Sequence, residues 1–178
     1  RIGRLEEMRA NRAARREMPC AEPRLRARRS GEAGWLEGYA AVFGNVDADG
    51  ESVRRGAFAK TLRERLPAGR IALMIRHVRD GGDALEVVGR VTRAVEDDVG
   101  LWIHADFGSD ATSQAARAKV LEGLVTGLSI GYVPLAGREV VIEGRRVREL
   151  TEVKLLEVTL TAFPANDLAE VTAAKSLA

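Results

Sequence analysis

Residues 124–134 read LVTGLSIGYVP. One serine, Ser129, sits between Leu128 and Ile130 in a short apolar run fenced by Gly127 and Gly131. A run of this kind closed by Pro134 predicts a strand that ends at the proline. Ser129 is then either one more small strand residue or a hydroxyl held on a rigid element. Flanking glycines let a second backbone approach and free nearby N–H groups for an anion. They equally mark a bulge or a close packing contact. Leu128 and Ile130 flank the serine with glycines outside, the spacing of a G-x-S-x-G elbow, but the strand-to-helix context that motif needs is absent, so the chain is not an α/β-hydrolase.

Working outward, apolar and β-branched runs at 35–43 (WLEGYAAVF), 70–78 (RIALMIRHV), 86–95 (EVVGRVTRAV), 100–107 (GLWIHADF) and 153–162 (VKLLEVTLTA) predict strands. REVVIEG and RRVRELTEV before the last of these predict a hairpin. Phe58, Leu62 and Leu66 at helical spacing predict a helix over 54–66, stopped by Pro67 and Gly69. A second helix is predicted over 110–123, with Asp110 as N-cap and Gly123 as the stop. About seven or eight strands against two helices describe a mainly β chain with flanking helices (α+β), a barrel or sandwich with helices outside.

The formal charge of +2 hides an asymmetry: residues 1–29 hold ten arginines against four glutamates. The sequence therefore divides into a basic N-terminal arm, 1–30, helical or disordered, and a body, 31–178, that is slightly acidic and makes no case for specific nucleic-acid binding. The single cysteine, Cys20, excludes a disulfide framework within the chain. No apolar run approaches the roughly 18 residues that cross a bilayer, and no signal-peptide core is visible. Asp47, Asp49 and Glu51 alternate as calcium ligands do, but position 58 is Phe where a closing glutamate belongs, so GNVDADGE reads as a turn and no metal is expected.

A serine nucleophile needs a base and a group to orient it. Only two histidines exist. His77 ends an apolar strand, where a side chain is both held and exposed to a cleft; a structural role is the competing reading. His104 alternates with Trp102 and Asp106 within a strand and reads as structural. Near the end of the chain Glu152 and Glu157 fall on opposite faces of one strand. Glu157 lies deep in an apolar run and is costly to bury unless paired; it is either the partner of a histidine or a solvent-facing residue, with Glu152 as the alternative third member.

Taken together, GYAAVFGNVD with RRGAF at 54–58, IALMIRHV followed by EVVGRV, VLEGLVTGLSIGY and ELTEVKLLEVTLTAFPAND resemble the prohead (procapsid) maturation serine proteases of tailed phages, over roughly residues 35–172. That family looks related to the herpesvirus assembly proteases. The resemblance implies a closed or near-closed β-barrel of about seven strands, no cofactor, and catalytic His77, Ser129 and Glu157. Family members usually carry a serine where Thr159 stands. It further implies cleavage of scaffold and capsid-protein segments, and of the protease itself, during head maturation. The implied partners are the major capsid protein with its scaffold segment, and the portal, with a homodimer as the candidate oligomer. The implied location is the procapsid interior in the host bacterial cytoplasm. Two rivals remain, a non-catalytic scaffold with the same barrel and a nucleic-acid-binding barrel with a basic arm. Convergence of His77, Ser129 and Glu157 within hydrogen-bond reach discriminates them from an enzyme.

Overall fold

The computed structural model describes residues 33–175; the basic arm expected over 1–30 lies outside them. Among the described residues the chain forms β1 (Trp35–Val42), β2 (Glu51–Val53), α1 (Ala59–Arg65), β3 (Ala72–Met74), β4 (Val87–Glu96), β5 (Gly100–Phe107), α2 (Ala111–Leu121), β6 (Gly127–Ile142), β7 (Arg145–Thr161) and β8 (Val171–Lys175). All eight strands belong to one sheet, in the order β2–β7–β3–β4–β5–β1–β8, with β6 also paired to β7. No described helix is long and apolar enough to cross a membrane.

β7 is the spine. Its 17 residues pair antiparallel with β6 along one edge. Along the other edge it pairs in parallel with β2 near Leu150 and with β3 near Val158. Between those two short strands α1 fills the gap. The Val153 N–H donates to Ala57 O at 3.0 Å, and the Leu155 N–H donates to the buried Thr61 hydroxyl at 3.0 Å. Every backbone donor buried on this edge needs such a partner.

The sheet curls strongly into a half-barrel, and it is open where a closed or near-closed barrel was expected. No ladder joins β6 to β8 or β1. The residues after β7 cross the gap as irregular chain, tied by one isolated bridge between Gly127 and Glu170 and by Leu128 N–H to Ala169 O at 2.9 Å. The concave side holds a continuous apolar core with Leu36, Phe58, Ile71, Leu73, Ile103, Leu128, Leu155 and Val158 fully buried.

Three expectations shift. Pro134 does not end the strand: β6 continues to Ile142, with irregular register around Pro134 and Ala136 that accommodates the missing N–H. The predicted hairpin and the last strand are one continuous pair, closed at Glu143 and Gly144, which both take positive φ, 51° and 78°, as a tight primed turn requires. β2 and β8 lie where no strand is predicted, because both depend on neighbours far away in sequence. α2 is capped as expected: Asp110 accepts the Ser113 N–H at 3.0 Å, and Gly123 takes φ 71°.

Replacing Thr61 with Val keeps the shape and removes the acceptor of the Leu155 N–H. The expected cost is about 1–3 kcal/mol of folding stability, read from urea unfolding; an unchanged midpoint would mean that α1 does not satisfy this edge.

Candidate active site

β7 alternation puts Glu157, Thr159 and Thr161 on one face. Across β6, Gly131 stands opposite Glu157 and Ser129 opposite Thr159. On the other side of β7, β3 places Met74 opposite Thr159. The predicted strand over 70–78 stops at Met74, so His77 is not a strand residue. It sits at the entry of a single 3-10 turn, Val78–Asp80, with extended backbone. Its carbonyl accepts the N–H groups of Asp80 (3.0 Å) and Gly82 (2.9 Å). A Cβ at Gly82 would meet the His77 carbonyl oxygen at 2.8 Å, so only glycine lets the turn close this tightly. The turn carries the imidazole back over the Glu157 face.

Three side chains meet there. His77 Nδ1 lies 2.9 Å from Glu157 Oε1, and Nε2 lies 3.1 Å from Ser129 Oγ. With a carboxylate at Nδ1, that nitrogen carries the proton and Nε2 is left to accept from the Ser129 hydroxyl. Glu157 is 2% exposed, and its Oε1 also accepts the Val78 N–H at 3.1 Å. Its Oε2 is buried with no hydrogen-bond partner among the described residues. A carboxylate held so dry is costly on its own and gains most when its neighbour becomes a cation, the state an imidazole enters on taking a proton. Ser129 is only half-buried, so the end of the chain of hydrogen bonds away from Glu157 is the accessible one.

Two residues that the sequence marked without this role complete the arrangement. Thr159 Oγ1 approaches His77 Nδ1 at 3.2 Å, a second anchor on the same nitrogen. Gly131 makes room for the carboxylate: a Cβ there would overlap Glu157 Oε1 and lie 2.6 Å from its Cδ. The signal for Gly131 was present in GLSIGY, but its meaning depends on the β6–β7 register.

The other candidates lie elsewhere. Glu152 faces outward and pairs with Lys60 at 3.2 Å. His104 is buried between Glu37, at 2.8 Å, and Asp106, at 3.2 Å, and stacks on Trp35. The 47–51 turn folds on itself, Asp47 Oδ1 accepting the N–H groups of Asp49 (3.0 Å) and Glu51 (2.8 Å). Burial, and the negative charges of Asp49 and Glu51, push the Asp47 carboxyl above its usual range against those N–H groups. The turn walls a shallow cleft onto which Ser129 opens, with Arg79 and Tyr132. The Tyr132 hydroxyl donates to Glu51; burial, then that carboxylate, raises its pKa and keeps it neutral.

A hydroxyl, an imidazole and a buried carboxylate in hydrogen-bond sequence form the arrangement that serine hydrolases use on unrelated folds. Residues 22–178 match the family described as caudovirus prohead serine protease, and the chain belongs to that family. It is 30% identical over 149 residues to the prohead protease of Enterobacteria phage HK97, covering 83% of this chain and 63% of that protein. The chain thus spans a little under two thirds of that relative's length. Its fold is similar to that of the bacteriophage T4 capsid assembly protease, with a TM-score of 0.57 at 13% identity over 71% of this chain and 79% of the other.

Gly131→Ala is expected to displace the Glu157 carboxylate. The rate at which a small fluorophosphonate labels Ser129 should fall by about 100-fold or more, as for a misplacement of roughly 1 Å; a rate near wild type would show that the contact is not needed. Thr159→Val should slow the same labelling by up to roughly tenfold, one modest hydrogen bond, and Thr159→Ser should restore it.

Proposed function

We propose that this chain is a serine endopeptidase of phage head maturation, with Ser129 as nucleophile, His77 as general base and acid, and Glu157 as the group that orients His77. The observation that carries this reading is the run of hydrogen bonds from Glu157 through His77 to Ser129, at 2.9 and 3.1 Å, in a member of a prohead protease family.

In this mechanism His77 Nε2 takes the Ser129 hydroxyl proton as Oγ bonds to the scissile carbonyl carbon. The imidazolium is held by Glu157, whose burial strengthens the attraction. His77 then gives its proton to the leaving amine as the C–N bond breaks, leaving an acyl-enzyme. Water enters, His77 takes its proton, and the second product leaves as Ser129 is restored. Backbone N–H groups supply the oxyanion contacts. This mechanism calls for no metal or cofactor.

The substrates in this reading are scaffold and capsid-protein segments and the chain itself, met inside the procapsid, with the major capsid protein as principal partner. The portal is a further candidate contact, and a homodimer the candidate assembly. The body over 31–178 is the protease domain and the basic segment over 1–30 an appended arm. The herpesvirus-protease-like barrel is the fold type this reading favours, in its open form.

The test is mass spectrometry of the chain co-expressed with the capsid protein encoded beside it. Cleavage with the wild type and none with Ser129→Ala is the expected result. Cleavage that persists with Ser129→Ala would move the chemistry elsewhere, and none with either would favour a scaffold. Glu157→Gln, which favours the wrong His77 tautomer, should lower the turnover rate by about 10⁴-fold, as the matching change does in other triads.

A further inference from the structure

Among the described residues, a groove beside the hydrogen-bonded triad is walled mainly by apolar side chains. It has a volume of about 400 Å³ and lies between α2 and the ends of β3 and β7. Its apolar walls are Ile75, Ala115, Ala116, Val125 and Leu160, and Lys119 is its single charged lining residue. Ile75 is 41% exposed, a large apolar side chain left in water beside a cavity it could help close.

The groove is continuous with the triad on two strands. On the β3 side Ile75 precedes His77 by two residues. On β7, Thr161 lines the groove and follows Thr159, the second anchor of His77, by two residues, about 7 Å along a strand. Thr161 stands opposite Gly127 and Thr159 opposite Ser129. The groove therefore begins two residues along the strands from Ser129, on the Gly127 side. The cleft on the Tyr132 side is mixed, with Asp47, Asp49 and Arg79 beside Ala40, Ala41, Val53 and Ile130.

Resting on the protease reading, we infer that this groove is a specificity subsite that takes one apolar side chain, leucine- or phenylalanine-sized, of an extended peptide substrate near its scissile bond. Along its outer edge β6 has only the contacts of Gly127 and Leu128 with residues 169–170 among the described ladder bonds. An extended peptide lying beside Ser129 projects alternate side chains to one face, and one directed past Gly127 enters the groove. Burying it there removes apolar surface on both partners from water, the substrate side chain and the exposed face of Ile75. Ala115 and Ala116 set the depth on the α2 side, with Thr112 and Lys119 of the same helix beside them.

The experiment uses the whole chain and a set of acyl-tetra-alanyl diphenyl phosphonates, irreversible serine probes, with Leu, Phe, Glu or Lys placed at one peptide position at a time. The rate of Ser129 labelling is read by intact mass. One position should favour Leu or Phe over Ala by roughly tenfold or more, as for several buried methylenes, with Glu and Lys disfavoured there. Ala115→Trp, which fills the groove from an exposed helix position, should bring the Phe-to-Ala ratio down to about one. Ala115→Leu, a milder filling, should reduce the Phe preference more than the Leu preference. A chain that labels with the all-Ala probe but has no apolar preference overturns the subsite and leaves the protease reading standing. So does a preference that survives both substitutions, or a preference for Glu or Lys at that position. Wild type that labels with neither peptidyl probe nor small fluorophosphonate at Ser129 overturns the protease reading, and the subsite with it.

Discussion

The carboxylate of Glu157 lies across Gly131, on the neighbouring strand, with almost no access to water. A charged group in that position is unstable unless something compensates it, and the nearby structure is arranged around doing so. The Val78 N–H and His77 Nδ1 both converge on Oε1. The first comes from the backbone of a tight turn and the second from the side chain that begins it. Because one oxygen receives both, the position of the turn and the position of the imidazole are fixed together. Ser129, two residues from Gly131 on the same strand, then falls within reach of the other ring nitrogen. A carboxylate moved by even a fraction of an ångström would carry the imidazole with it.

That arrangement depends on β7 being long and doubly paired. Its far end is anchored by β2 and by the β6 hairpin, its middle by α1, and its site end by β3. Each anchor satisfies backbone groups that would otherwise be buried unpaired. The curl of the sheet brings the exit of β3 over the same face that carries Glu157 and Thr159. An open half-barrel is sufficient for this, since the residues that meet come from β6, β7 and the segment after β3, which are already adjacent. The open side leaves the edge of β6 beyond Leu128 without a strand beside it, next to the hydroxyl in question.

The surroundings of Ser129 are asymmetric. Toward Tyr132 the walls set Asp47, Asp49 and Arg79 among small apolar residues, and the 47–51 turn is tied to β6 through the Tyr132–Glu51 contact. Toward Gly127 the walls are apolar and built from a helix with small residues facing inward. On the proposed reading, selectivity comes from the helix and the 47–51 turn, while Ser129 and Glu157 are held by strands and His77 by the turn after β3. These two kinds of element can vary in sequence without moving the triad.

Much of this was legible before any coordinates. The period-two runs marked the main strands, Asp110 and Gly123 marked the limits of α2, and Glu157 stood out because a charge deep in an apolar strand demands a partner. Ser129 and His77 stood out by type and by their neighbours. The rest was not local. β2 and β8 are short and depend on partners far away in sequence, so no periodicity announces them. Pro134 looked like a stop because its missing N–H breaks a ladder, yet irregular register at that point lets the strand run on. The end of β3 was overestimated because Ile75 and Val78 look like strand residues, but Ile75 lines the apolar groove and Val78 begins the 3-10 turn. Above all, the roles of Gly131 and Thr159 follow from which residue of β6 faces which residue of β7. The sequence by itself determined the main element types and, through the family resemblance, pointed to the three residues that could share a proton. Only the tertiary structure decided their register, the open curl and the contacts around the imidazole, because strand pairing is set by packing between segments that the chain order does not reveal.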